Sequence, residues 1–206
     1  MSIKQLEKLK KLEEYVKNLH YNPPKNKLND NLRRREFLKN LWDYHVWPVM
    51  EASCKMSIEY GGDEDIIWLG AIMHDIGLIY TRKNHDISGG KLAYEILIKQ
   101  GFGKKTAEKV RGIVLRHRCR REKPETVEEK IVTTADAIAH FAPAYYLGLA
   151  AIANEDYRGL MADNFKKLVS DYENKVFFPA EKIKLKKAAG EFKKVFMQKS
   201  VKNVHT

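Results

Sequence analysis

The sequence predicts an all-α protein, and three observations carry that prediction. Apolar residues recur at spacings of three and four along most of the 206 residues. No alternation of apolar and polar residues is sustained enough to suggest a strand. The breaks at Pro23-Pro24, Gly61-Gly62, Gly77 and Pro124 fall between the periodic segments, not inside them. A chain of this length can bury one substantial core. The expected architecture is a single-domain helical bundle with extra terminal helices. Residues 1–30 supply an N-terminal helix and turn, 31–153 the core, and 154–206 C-terminal helices packed on it.

Each element has its own signature. Ile3, Leu6, Leu9, Leu12, Val16 and Leu19 form one apolar stripe, ended by "YNPPKN". A second helix is expected from about Asn31 to Glu59, closed by Gly61-Gly62, with His45 near its middle. Asp63 caps a third, which contains "IIWLGAIMHDI" and stops at Gly77. A fourth, "HDISGGKLAYEILIKQG", begins near His85. Lys104 to His117 forms a fifth, with Val110, Ile113, Val114 and His117 on one face. Thr126 and Glu129 have capping-box spacing at the start of a sixth, "VEEKIVTTADAIAHF". Further helices are expected over roughly 143–153, 155–175 and 180–198.

Composition narrows the function classes. The start of the chain is charged and lacks the apolar run of a secretory signal. The longest apolar stretch, Phe141 to Ala153, falls well short of the ~20 residues needed to span a membrane. Cys54 and Cys119 have no CxxC spacing and read as free thiols, so a reducing, cytoplasmic setting is expected. The net charge of +11 raises the question of nucleic acid. The basic residues are scattered, with clusters at Arg33-Arg34-Arg35, Arg116 to Arg121 and Lys182 to Lys199. Such a spread reads as solvation more readily than recognition.

Acids and imidazoles interrupt the apolar runs at specific places. His45, His74-Asp75, His85, His117 and Asp136 each lie on a mainly apolar helical surface. A buried carboxylate needs a cation or a metal, because water no longer solvates it. Singly, His117 reads as a packed core histidine, Asp136 as the partner of an arginine and His85 as a helix-start residue. Jointly with the His-Asp doublet they read as a site. Imidazole nitrogen with carboxylate oxygen suits divalent Mn, Fe, Co, Ni or Zn. His140, one turn after Asp136, reads as a packed or surface histidine. His20 and His205 lack comparable surroundings.

The order His45, His74-Asp75, Asp136 resembles the HD-domain superfamily of metal-dependent phosphohydrolases, and "MHDIG" looks like the centre of its motif. "NHDISGG" with His85 and "IVLRH" with His117 resemble HDIG-type members that carry two additional histidines. The likeness spans about Glu36 to Phe141. It implies a first divalent ion (Mg included) on His45, His74, Asp75 and Asp136, and a second on His85 and His117 bridged by Asp75. A divalent cation lowers the pKa of its bound water from ~16 towards ~7, which makes a nucleophile available at neutral pH. With a single ion, His85 and His117 are instead placed to contact phosphate or protonate the leaving group. The catalytic residues are then Asp75, His85 and His117. Relatives that cleave cyclic dinucleotides often carry lysine directly after HDIG. Leu78 stands there in this chain, so that substrate is not implied. The "HDIGHGPFSH" extension of the deoxynucleotide triphosphohydrolases is also missing.

A small phosphorylated substrate, a nucleotide above all, needs cationic partners, and Arg82, Lys83, Arg116 and Arg118 are the candidates; Arg120 and Arg121 adjoin them. Successive arginines at a helix end cannot all face one pocket. Two other readings stand beside the hydrolase. One is a di-iron oxygenase of the same superfamily. The other is a basic nucleic-acid or acidic-partner binding module with a structural metal, based on "EKIKLKKAAGEFKKVFMQK" with Ile183, Phe192, Val195 and Phe196 as its apolar face. The terminal amphipathic helices suit packing inside the chain or against a partner equally well.

Overall fold

The computed structural model describes residues 3–25, 29–142, 145 and 157–196. These residues form α1 (Ile3–Tyr21), α2 (Leu32–Leu41), α3 (Trp47–Tyr60), α4 (Glu64–Met73), α5 (His85–Lys99), α6 (Lys104–Arg116), α7 (Val127–His140), α8 (Tyr157–Asn174) and α9 (Pro179–Phe196), with no strand among them. The all-helical class is as the periodicity predicts. The helix expected over 143–153 lies outside the described residues, Tyr145 excepted, as does His205. No described helix is long and apolar enough to cross a membrane. Cys54 and Cys119 are free thiols.

The caps follow the side-chain chemistry. Asn31 accepts from the Arg33 N–H at the start of α2, and Asp63 from the Ile66 N–H at the start of α4. Thr126 and Glu129 make the reciprocal capping box of α7. These side chains satisfy backbone donors that a helix start leaves without partners.

α4 is the central element. Ile66, Ile67, Leu69, Ala71, Ile72 and Met73 are all buried, and α4 touches both α6 and α7. Burying each large aliphatic side chain is worth roughly 1.5–3 kcal/mol. α5 packs along α6 and α3 along α7, while α1 contributes Leu9, Leu12 and Val16 to the same core. A smaller cluster joins Ala137 and Phe141 to Leu168, Val176 and Leu185, which fastens α8 and α9 to the end of α7. On α9 the buried apolar residue among those described is Leu185, whereas Ile183 is 74% exposed. The docked stripe includes Leu185, Ala188 and Ala189 and leaves out Ile183, while the side chains of Phe192, Val195 and Phe196 lie outside the described ones.

The helix expected from Asn31 to Glu59 is continuous but widened over Trp42–Val46, where it makes one π turn. Pro48 explains the defect. It has no N–H to offer the Tyr44 carbonyl, and the Trp47 N–H reaches back five residues to Trp42. Such turns re-aim the side chains they carry, and this one carries His45.

Candidate metal centre

Helix ends deliver most of the site. α4 stops at Met73, so His74 is its C-cap and Asp75 lies beyond it, at φ −106° and ψ 10°. Sequence periodicity extends this helix to Gly77, whereas a short 3-10 turn, Ile76–Ile79, follows Asp75. That turn presses onto α5 so closely that a Cβ on Gly77 would sit 2.1 Å from the His85 carbonyl oxygen, and one on Gly89 3.0 Å from the Gly77 nitrogen. The glycines of "HDIG" and "ISGG" are thus the two sides of a single backbone contact. It sets Asp75 beside His85.

Three imidazoles are oriented identically. The Nδ1–H of His74 donates to the Ala71 carbonyl (2.8 Å), that of His85 to Arg82 (3.1 Å) and that of His117 to Val114 (2.6 Å). Each bond spans three residues back along the chain and fixes the tautomer in which Nε2 carries the lone pair. All three Nε2 atoms converge on Asp75, whose two oxygens divide them. Oδ2 lies 3.5 Å from His45 Nε2 and 3.6 Å from His74 Nε2. Oδ1 lies 3.1 Å from His85 Nε2 and 3.4 Å from His117 Nε2. From α7, Asp136 Oδ1 comes within 3.1 Å of His45 Nε2 and 3.9 Å of His74 Nε2.

The donor set fits divalent cations. Bonds of about 2.0–2.2 Å from nitrogen and oxygen place neighbouring ligand atoms roughly 3.0–3.5 Å apart around one ion. The separations across His45, His74, Asp75 and Asp136 cluster around this range. His45 Nε2 and His74 Nε2 stand 3.1 Å apart in a fully buried position. His74 offers a bare lone pair there. His45-His74-Asp75 and Asp75-His85-His117 are each compact enough for one ion, and they share Asp75.

Electrostatics keep His74, Asp75 and Asp136 in ligand form. Burial lowers the His74 pKa to about 3, so its ring is neutral at pH 7. Burial alone would raise Asp75, but the imidazoles gathered around it, His74 first and then His117, His45 and His85, hold it well below the usual carboxylate range. Asp136 shows the same balance, with Lys175 the largest of the charges that outweigh burial.

Behind the ligands lies a layer that sequence reasoning missed. Lys175, only 5% exposed, forms a close ion pair with Asp136 Oδ2 and lies 3.9 Å from Asp171. Its backbone is bolted to α7, where the Thr134 hydroxyl donates to the Lys175 carbonyl and accepts from the Phe177 N–H. His140, read from sequence as packed or superficial, is buried, stacks on His45 at 4.6 Å and sits 2.9 Å from Asp171. Tyr145 lies against both rings.

The basic candidates separate into two sorts. Arg116 is engaged by Glu122, Glu125 and Glu129, at 3.0, 3.7 and 2.7 Å. Arg118 is paired with buried Asp86 at 3.2 Å, together with Arg121 at 2.7 Å. Arg82 and Lys83 are exposed on the loop before His85, and no described carboxylate lies within ion-pair distance of either.

Residues 42–140 match the HD domain family, the family that the order His45, His74-Asp75, Asp136 resembles. Its fold is shared by two solved structures. The first is Bacillus subtilis YpgQ, crystallised in complex with ADP: TM-score 0.62, 16% identity, covering 92% of this chain and 93% of that one. The second is a predicted HD superfamily hydrolase from an uncultured Thermotogales bacterium: TM-score 0.52, 17% identity, covering 82% of this chain and 94% of that one. No curated protein sequence matches the chain.

Proposed function

We propose that the protein is a hydrolase that uses two divalent cations to cleave a phosphoester or phosphoanhydride of a nucleotide. The observation that carries this reading is the division of the Asp75 carboxylate between two groups of imidazoles. A nucleotide substrate is supported by the ADP bound to YpgQ, which has the same fold.

Cations held in the two groups would polarise phosphoryl oxygens, stabilise attacking and leaving oxygens, and lower the pKa of water towards neutrality. The residues supply the rest. His45, His74, Asp75 and Asp136 form the deeper group, and His85 and His117 complete the outer one around Asp75. Lys175 occupies Asp136 Oδ2 and leaves Oδ1 facing His45. The His85 side chain is 13% exposed and that of His117 2%, so substrate arrives over His85. Arg82 and Lys83, on the loop that ends in His85, stand at that entrance.

The test is reconstitution. Chelator-stripped protein is loaded with Mn, Co, Ni, Mg, Zn or Fe, its metal stoichiometry measured, and phosphate release followed across a nucleotide panel. Two ions per chain and phosphate release are expected. Replacing His85 and His117 by alanine should reduce the stoichiometry to one. Oxygen uptake with iron and no phosphate release from any nucleotide would replace this reading by the oxygenase.

A further inference from the structure

Arg34 lies in a basic run that the sequence presents as diffuse surface charge, yet the fold brings it against Arg82. Its guanidinium donates to the Leu78 carbonyl, in the turn that follows Asp75. Its Nε is buried and has no hydrogen-bond partner among the described residues. Both guanidiniums rest on the same ring. Arg34 Cζ is 5.0 Å and Arg82 Cζ 5.6 Å from the Phe37 centroid. Burial, then the charge of Arg82, lowers the Arg34 pKa. Two like charges held against one aromatic ring, with no described carboxylate between them, repel unless an anion joins them.

The position of the pair relative to the metal centre is fixed by backbone. The Leu78 N–H donates to the Asp75 carbonyl at 2.9 Å, so Arg34 holds the carbonyl of a residue that is itself hydrogen-bonded to the backbone of Asp75. The Arg82 carbonyl accepts from His85 Nδ1. The loop between them is stiff: Thr81 Oγ1 accepts from the Lys83 N–H, Asn84 is in the left-handed region at φ 53°, and Arg121 donates to the Asn84 side chain at 2.8 Å. Arg116, Arg118 and Arg121 already serve carboxylates. Arg34 and Arg82 serve none among the described residues.

We infer that Arg34 and Arg82, ordered on Phe37, form a seat for a phosphate other than the one that reacts, and that the preferred ligand is a chain of at least two phosphates. The seat rests on the hydrolase reading for which phosphate is cleaved. Its anion chemistry stands on the arginines alone. The reacting phosphate belongs to the cations. The arginines lie outside that ligand set and present planar donor forks to a neighbouring group.

Binding of inorganic pyrophosphate and of orthophosphate is measured on the metal-loaded full chain, in wild type, Arg82→Ala, Arg34→Ala and Arg34→Lys. Metal content and melting temperature are recorded alongside. Arg82→Ala is the decisive variant, because its exposed side chain makes no described hydrogen bond whose loss would disturb the fold. The preference for pyrophosphate over orthophosphate should fall roughly 10- to 100-fold in each alanine variant. Arg34→Lys, which keeps the charge and loses the fork, should fall between. An unchanged preference at intact metal content would overturn the seat, whatever the chain hydrolyses. Loss of the preference in a protein that releases no phosphate from any nucleotide would keep the seat and remove the hydrolase reading.

Discussion

The chain contains the dipeptide His-Asp twice, at His74-Asp75 and His85-Asp86, and the fold uses the two in opposite ways. Both aspartates are buried, at 7% and 2% exposure. Asp86 faces Arg118 and Arg121, whose charges hold its carboxyl below the usual range in spite of burial. That acid is closed: its charge is answered by guanidiniums that cannot be displaced without leaving it alone in the interior. Asp75 has no arginine or lysine within ion-pair distance among the described residues. It is surrounded by four imidazole Nε2 atoms, each able to serve as a metal ligand. The contrast shows that burial of an acid does not make a site. What makes one is burial among partners that leave coordination open.

The sharpest way to break that comparison is to neutralise each acid in turn. Asp75→Asn should lower metal affinity by more than the roughly 10- to 100-fold expected for an outer-layer partner, and phosphate release should disappear with it. Asp86→Asn should keep metal stoichiometry at the wild-type value and cost about 1–3 kcal/mol of stability, because two arginines lose an ionised acceptor. Equal loss of metal in the two variants, measured by elemental analysis, would abolish the distinction between them.

Asp136 stands between the two cases, with one oxygen open towards His45 and the other closed by Lys175. Lys175→Met should destabilise the metal-free protein by about 3–5 kcal/mol, the usual cost of leaving one member of a buried pair uncompensated. Added divalent cation should recover part of this by binding the freed carboxylate. Denaturant unfolding with and without metal checks both. Equal stability of wild type and variant would mean that Lys175 does not compensate Asp136.

Lys175 also shows where the sequence stops being legible. The ligands were readable because each is a polar interruption of an apolar helical run, and "MHDIG" or "TTADAIAH" cannot be mistaken for a surface. Asp171 and Lys175 are four residues apart in a polar helix end, so they look like an ordinary exposed pair. Only the docking of Leu168 and Val176 against Ala137 and Phe141 turns them inward. The same is true of His140, whose burial depends on α8. Arg34 looked like solvated charge until the turn after Asp75 was placed beside it. The π turn at His45 was concealed differently. Periodicity reads through it, and the cause is Pro48, a residue easily accepted within the first turn of a helix.

The neutral imidazoles give a pH test of intermediate size. Burial holds His74 near 3 and His140 near 4, against 6.5 for a free ring. In the unfolded chain both rings take up a proton below about pH 6.5. In the native protein they do not until pH 3 to 4. The unfolded state therefore binds more protons through that window, and stability falls as pH falls. Each ring contributes at most ~1.4 kcal/mol per pH unit. Thermal unfolding of the metal-free protein at pH 7 and pH 5 should show the decline, and metal-loaded protein should show a steeper one, since ligand protonation competes with binding. His140→Gln should flatten the metal-free curve. A wild-type curve flat between pH 5 and 7 would mean that these rings are protonated in the native state.

The smallest effect is expected where the comparison predicts a purely structural arginine. Arg116 belongs to the closed class: it joins α6 to Glu129 on α7, and Glu129 keeps its bonds to the Glu125 and Thr126 N–H groups if Arg116 is removed. Because those capping bonds survive and the Arg116 side chain is itself 22% exposed, Arg116→Ala should cost only about 1 kcal/mol, lowering the melting temperature by roughly 2–4 °C. Pyrophosphate affinity should not move. Arg82→Ala should show the reverse, with melting temperature retained and pyrophosphate affinity lost. If Arg116→Ala weakened pyrophosphate as much as Arg82→Ala did, a carboxylate partner at rest would no longer distinguish a structural arginine from a phosphate-binding one.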